Sequence, residues 1–90
     1  MPVWKIPAPF RYYTAKQPTV VVSGLTVNDA LFDLVKQHAA LKAQLYKKDG
    51  ELRAFVNLFV GEINIKDLQG LDTPINEDDE LRLVPSIAGG

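Results

Sequence analysis

Cysteine is absent from the sequence, and histidine occurs once, at position 38. Disulfides, thiolate metal sites and cysteine nucleophiles are therefore excluded, and no histidine cluster is available to hold a metal. A surplus of charge is missing as well. Ten Lys and Arg against eleven Asp and Glu leave a net charge of -1, without the basic excess that neutralising nucleic-acid phosphates requires. Long apolar runs are lacking too: no window approaches the roughly 18 apolar residues of a membrane span, and the opening Met1-Pro2-Val3-Trp4-Lys5-Ile6-Pro7 does not read as a signal peptide. A soluble cytoplasmic protein is expected, with neither nucleic acid nor membrane as partner. Enzyme motifs are missing in turn. There is no P-loop, no Rossmann glycine fingerprint, no His-Glu-x-x-His, and no Ser-His-Asp triad except one built on His38. Near a helix end, that lone histidine reads as a surface or partly packed residue favoured by the helix dipole.

What is present is enough for one domain. Ninety residues, 47% hydrophobic and 23% charged, are ordinary globular proportions that support a small core and argue against disorder or a coiled coil. Residues 3–6 predict a short strand, after which Pro7 and Pro9 break regular pairing. The β-branched stretch 19–23, bounded by Pro18 and Gly24, predicts a second strand in hairpin with the first. Thr26 stands where a helix N-cap belongs, with Asp29 three residues on. Val27, Ala30, Leu31, Leu34 and Val35 then follow the one-sided spacing of a helix lying on a sheet. That helix is expected to fray near His38, and residues 40–46 supply another turn or two with Leu41 and Leu45 inward. Asp49-Gly50 marks a turn. The stretch 52–60 is read as the longest strand and the central one, Gly61-Glu62 as a tight turn into Ile63-Asn64-Ile65, and 70–74 as a loop with a helical turn. Alternation in a last strand, 81–84, puts Leu81 and Leu83 on one face and Arg82 and Val84 on the other. Both ends of the chain in strands, with one main helix to cover a single sheet face, make an α+β layer of β-grasp type the economical architecture; periodicity alone does not give the strand order. Residues 1–84 would form the domain and 85–90 an extended tail.

Two features outside the core bear on chemistry. Glu77-Asp78-Asp79-Glu80 is a run of carboxylates without the spaced ligands and glycine of a calcium loop; it reads as a solvated turn or an electrostatic contact for a basic partner, and no metal site is expected. The ending Pro85-Ser86-Ile87-Ala88-Gly89-Gly90 is uncharged and would reach about 20 Å if extended, long enough to enter another protein's active site. Gly89 and Gly90 lack Cβ and so suit a narrow channel. A terminal carboxylate is ionised at neutral pH and unreactive until activated.

Several stretches carry a resemblance that spans nearly the whole chain. They are Ile6-Pro7 with Phe10-Arg11, Gly24-x-Thr26-Val27, Phe55-Val56-Asn57, Gly70-Leu71-Asp72-Thr73-Pro74, Asp79-Glu80, and above all Val84-Pro85-x-Ile87-Ala88-Gly89-Gly90. In these the sequence resembles the MoaD/ThiS family of ubiquitin-like sulfur carriers. The opening and the Phe55-Val56-Asn57-Leu58-Phe59-Val60 stretch look most like carriers that feed a cysteine-forming synthase, with molybdopterin-synthase small subunits next. Asp78 departs from the pattern, since relatives commonly have glycine there. The resemblance implies a protein-bound sulfur donor rather than an enzyme, with no permanent cofactor. A ubiquitin-activating-like adenylyltransferase and sulfurtransferase would use ATP and magnesium to activate the carboxylate of Gly90, which then becomes a thiocarboxylate. The sulfur would pass to a cysteine synthase or a molybdopterin-synthase large subunit, with a metallopeptidase as a further partner. Gly90 would bear the sulfur, Gly89, Ala88 and Ile87 would give the tail access, and Phe59, Val60 and Val84 would be the docking face, although these three could equally be core. Two other readings stand beside it: a ubiquitin-like modifier conjugated to lysines, and a non-catalytic interaction module in which Gly-Gly is incidental.

Overall fold

A computed structural model describes residues 1–85. Five strands, β1 (Val3–Lys5), β2 (Thr19–Val21), β3 (Val56–Val60), β4 (Ile63–Asn64) and β5 (Glu80–Pro85), form one sheet. Two helices, α1 (Val27–Gln37) and α2 (Ala39–Leu45), follow β2. The sheet order is β2-β1-β5-β3-β4, with β1 and β5 parallel and the other neighbours antiparallel. This is the mixed sheet of the β-grasp fold.

The helices arise where the local chemistry asks for them. Thr26 caps α1: its hydroxyl oxygen accepts from the Asp29 N–H at 3.2 Å, and the Asp29 carboxylate reaches back to the Leu25 N–H at 3.2 Å. This differs from a standard capping box by one residue, because the carboxylate serves the residue before the cap. Val27, Ala30, Leu31 and Leu34 are buried on the sheet side. Gly24 permits the approach. Its φ is +153°, and a Cβ there would lie 2.7 Å from the Asp29 Cβ and 2.9 Å from the Ala30 nitrogen. His38, at φ -131° and ψ 79°, interrupts the helical path, so the expected extra turns form α2, with Leu41 and Leu45 fully buried. The sheet thus carries a second, shorter helix beside the main one.

Trp4, Leu31, Leu34, Leu41, Leu45, Leu58 and Leu81 make the centre of the core. The Trp4 indole N–H donates to the Ala30 carbonyl at 2.9 Å, so the largest buried ring also ties β1 to α1 without leaving a polar atom unpaired. Between β1 and β2 the chain forms a 3-10 segment, Ala8–Thr14, followed by left-handed Ala15 and Lys16 at φ 52° and 65°. The fully buried Thr14 hydroxyl donates to the Gln17 carbonyl at 2.9 Å and closes that turn.

Two expectations are corrected. The stretch 52–60 is not one strand: only Val56–Val60 is, and Leu52 makes an isolated bridge with Tyr46. The reason is Arg53. Its N–H donates to the Leu45 carbonyl, its guanidinium to the Ala43 carbonyl at 3.1 and 3.2 Å, and its own carbonyl accepts from the Val56 N–H. That residue therefore caps α2 rather than continuing a ladder. Nor is β3 central. The middle position belongs to β5, flanked by β1 and β3; it is also the longest strand and extends one residue beyond the expected 81–84 at each end.

Candidate functional site

The root of the tail is built by the unequal lengths of two strands. β1 stops at Lys5, level with Arg82: the Ile6 N–H continues the ladder on the β2 side, to the Pro18 carbonyl at 2.8 Å, and Pro7, the next residue whose N–H would face β5, has none. On its other side β5 continues against β3 until Pro85 lies opposite Val56. A groove of about 250 Å³ is left between Lys5, Ile6 and Pro7 on one wall and Arg82, Leu83 and Val84 on the other. The strand that leads into the tail is thus held firmly by one neighbour and left accessible on the other side.

Alternation along β5 assigns the faces. Leu81 and Leu83 point into the core at 0% and 2% exposure, whereas Arg82 and Val84 face away from the helices. Directly opposite residues in a ladder share a face, so Asn57 beside Val84, and Phe59 beside Arg82, lie on that open face. Of the sequence-predicted docking residues, the structure brings Val84, exposed at 40%, and the partly exposed Phe59 onto one surface. Val60 is different. It stands opposite Leu81 and packs partly against the core cluster, so it is removed from the open face; the period of two that places Phe59 outward turns Val60 inward. Ile87, Ala88, Gly89 and Gly90 lie outside the described residues.

Charge at this root was missed in the sequence reading. Lys5 and Arg82 are level with one another across the β1–β5 pair and line the same groove as Val84. Alternation alone placed Arg82 on the face of Val84, but its neighbour Lys5 comes from 77 positions away in sequence and needed the parallel pairing of first and last strands. Lys5 also approaches Glu80 at 3.5 Å, an exposed pair of little energetic weight.

The carboxylate run behaves as a turn. The Asp79 carboxylate accepts from the Asn76 N–H at 2.7 Å, and the Asp79 N–H donates to the Asn76 carbonyl. Asp78 does not adopt the left-handed conformation that glycine would favour, and the turn is closed by the Asp79 carboxylate reaching back three residues to the Asn76 N–H. Among the described residues no group of three or more His, Asp or Glu side chains is arranged to hold a metal ion, and no helix is long and apolar enough to cross a membrane. His38 is a partly buried helix-terminal residue. The phenol of Tyr46, half-buried at the end of α2, is pushed above its ordinary pKa by burial, and lines a cleft with Lys42 and Arg53.

Comparison with known proteins gives this geometry its context. The model of the ThiS family matches residues 4–90. The sulfur carrier protein CysO of Mycobacterium tuberculosis is 31% identical over 87 residues, covering 94% of each chain. Among solved structures, a chain of the Amycolatopsis orientalis BexX/CysO complex superposes with a TM-score of 0.89 at 30% identity, covering 100% of both chains. The small archaeal modifier protein 1 from Methanosarcina acetivorans superposes at 0.86 with 30% identity, covering 99% of this chain and 95% of that one. A family match running from Trp4 to Gly90, together with relatives at about one-third identity across nearly the full length, places this chain in the ThiS family.

Proposed function

We propose that this protein is a sulfur carrier whose Gly90 carboxylate is converted to a thiocarboxylate. The observation that carries the reading is the family match extending through Gly89 and Gly90, supported by a relative named as a sulfur carrier over 94% of both chains. The chemistry requires a partner, because an ionised terminal carboxylate is a poor electrophile until it is activated. A ubiquitin-activating-like enzyme using ATP and magnesium joins the Gly90 carboxylate to the α-phosphate of ATP and releases pyrophosphate. The acyl-adenylate is an activated electrophile. A sulfur donor displaces AMP from it and leaves sulfur in place of one carboxylate oxygen.

The thiocarboxylate is a better nucleophile than the carboxylate, and attacks an electrophile held by a second partner. The relatives named CysO support a cysteine synthase with an activated serine derivative over a molybdopterin-synthase large subunit. A metallopeptidase is the corresponding agent for releasing product from the carrier. Gly89, Ala88 and Ile87 provide the slender tail, and Val84 with Phe59 provides an apolar docking face beside its root. The test is mass spectrometry of the intact chain after incubation with the cognate activating enzyme, ATP and a sulfur source. The expected product carries sulfur in place of oxygen at Gly90, and a chain that stays unmodified under turnover conditions would defeat the proposal.

A second reading has its own support, since small archaeal modifier proteins superpose over nearly the whole chain. The same activated carboxylate, meeting a lysine amine instead of a sulfur donor, would give an isopeptide-linked conjugate. Gel-shifted conjugates in cells that disappear when Gly90 is deleted would favour that role.

A further inference from the structure

The near-zero net charge hides a separation of charge along the sheet. The registers put Val3, Val21 and Val60 at the Glu80 end of β5, and Lys5, Thr19 and Val56 at the Pro85 end, from which the tail departs. Cations collect at the tail end. Lys5 and Arg82 flank Val84 in one groove, and the Arg11 guanidinium donates to the Ile6 carbonyl just past the end of β1. On the helix side, the Arg53 carbonyl accepts from the N–H of Val56, the residue opposite Pro85. Lys42 shares a cleft with Arg53, and Lys66 lines a groove with Arg53 and Val56.

Acids collect at the other end. The carbonyl of Asp79 accepts from the Val3 N–H and that of Glu80 from the Gly61 N–H, with Glu62 next in the chain. Glu77 and Asp78 occupy the turn between Asn76 and Asp79. Asp72 precedes Thr73, whose carbonyl accepts from the Val27 N–H at the start of α1, and Asp29 lies in that same first turn. These are seven of the eleven acidic residues, and positions 67–81 contain no lysine or arginine. Internal pairing reduces the pattern at one point, where Lys5 approaches Glu80 at 3.5 Å; among the described residues Arg11, Lys42, Arg53, Lys66 and Arg82 make no ion pair within 4 Å.

We infer that the cationic collar around the tail root is an interaction surface for a partner protein whose channel mouth is rimmed with Asp and Glu. The inference rests on the reading that the tail enters a partner's active site. Complementary charge mainly accelerates and orients encounter, and a charge-separated body meets an acidic rim with its tail end leading and its acidic end turned away. The tail itself delivers an anion, the carboxylate of Gly90. The collar therefore offsets the repulsion that an acidic rim would exert on that terminus, while the channel floor supplies its own cations. Screening limits the effect to about 8 Å at physiological ionic strength, so it acts over the last step of approach.

Initial rates of pyrophosphate release by the cognate activating enzyme test this, using wild type and the triple variant Lys42→Glu/Lys66→Glu/Arg82→Glu, each verified as folded by circular dichroism. The expected kcat/KM of the variant is lower by about tenfold or more at about 50 mM ionic strength, and the gap closes to about twofold at about 500 mM. The control Glu77→Lys/Asp78→Lys keeps or raises the wild-type rate. Equal kcat/KM for triple variant and wild type at low salt overturns the inference, while thiocarboxylate formation in both leaves the carrier reading standing. Should wild type not be adenylated at all, the carrier reading falls and a polyglutamate peptide titrated into labelled protein decides the collar separately. Amide shifts centred on Lys5, Arg53 and Arg82 support it, and shifts that are absent or centred on the acidic end overturn it. Tighter binding of a short DNA duplex than of polyglutamate at physiological salt also overturns it, by assigning the collar to nucleic acid.

Discussion

The two faces of β5 have opposite surroundings. Leu81 and Leu83 are sealed beneath the helices, whereas Arg82 and Val84, one residue away from each, stand on a face that no helix covers. The inward pair holds the strand at the centre of the sheet. The outward pair is free to contact something else. A central strand buried on one face and open on the other allows stability and docking to be altered separately, because consecutive residues serve each.

The sharpest way to break this contrast is to truncate both sides. Leu81→Ala removes a fully buried side chain and is expected to cost about 2–5 kcal/mol, the usual range for such cavities, measured by urea denaturation. A value below about 1 kcal/mol would mean that the covered face is not closely packed. Gly24 tests how tightly α1 is pressed onto that face. Gly24→Ala forces a Cβ to within 2.7 Å of the Asp29 Cβ at a φ of +153°, and an expected loss of about 2–4 kcal/mol reflects both strain and clash. Gly61→Ala is the comparison, since it is left-handed at φ 61° with nothing within 4 Å of an added Cβ, and strain alone predicts about 1 kcal/mol. Equal losses at the two glycines would show that the close approach of helix and loop carries no weight. The smallest effect on stability belongs to the open face. Val84→Ala is expected to change the unfolding free energy by less than about 0.5 kcal/mol while weakening capture by the activating enzyme, seen as a raised KM in the pyrophosphate-release assay. A large loss of stability with unchanged KM would place Val84 with Leu81 in function.

Local chemistry was readable wherever a single residue decides the backbone. Thr26 as a cap, the turns at Gly50 and Gly61, the helical spacing from Val27 to Leu34, and the shared face of Leu81 and Leu83 all follow from residues within a few positions. Arg53 shows where such reading stops. In sequence it interrupts the apolar run of the stretch 52–60 read as one strand; in the fold it reaches back ten positions to the Ala43 carbonyl and ends α2. Phe59 and Val60 show the second limit. A period of two states that neighbours face opposite ways, but not which way the sheet is covered.

The sequence by itself determined the element types, the alternation of the last strand and the resemblance carried by its Gly-Gly ending, because each depends on the identity of a few neighbouring residues. Tertiary structure alone decided that β5 is central, that Phe59 is outward and Val60 inward, and that Lys5 and Arg82 line one groove beside Val84. Those outcomes depend on pairing the first and last strands, a contact between chain ends that no local propensity encodes and that only burial of Trp4 and Leu81 in one common core enforces.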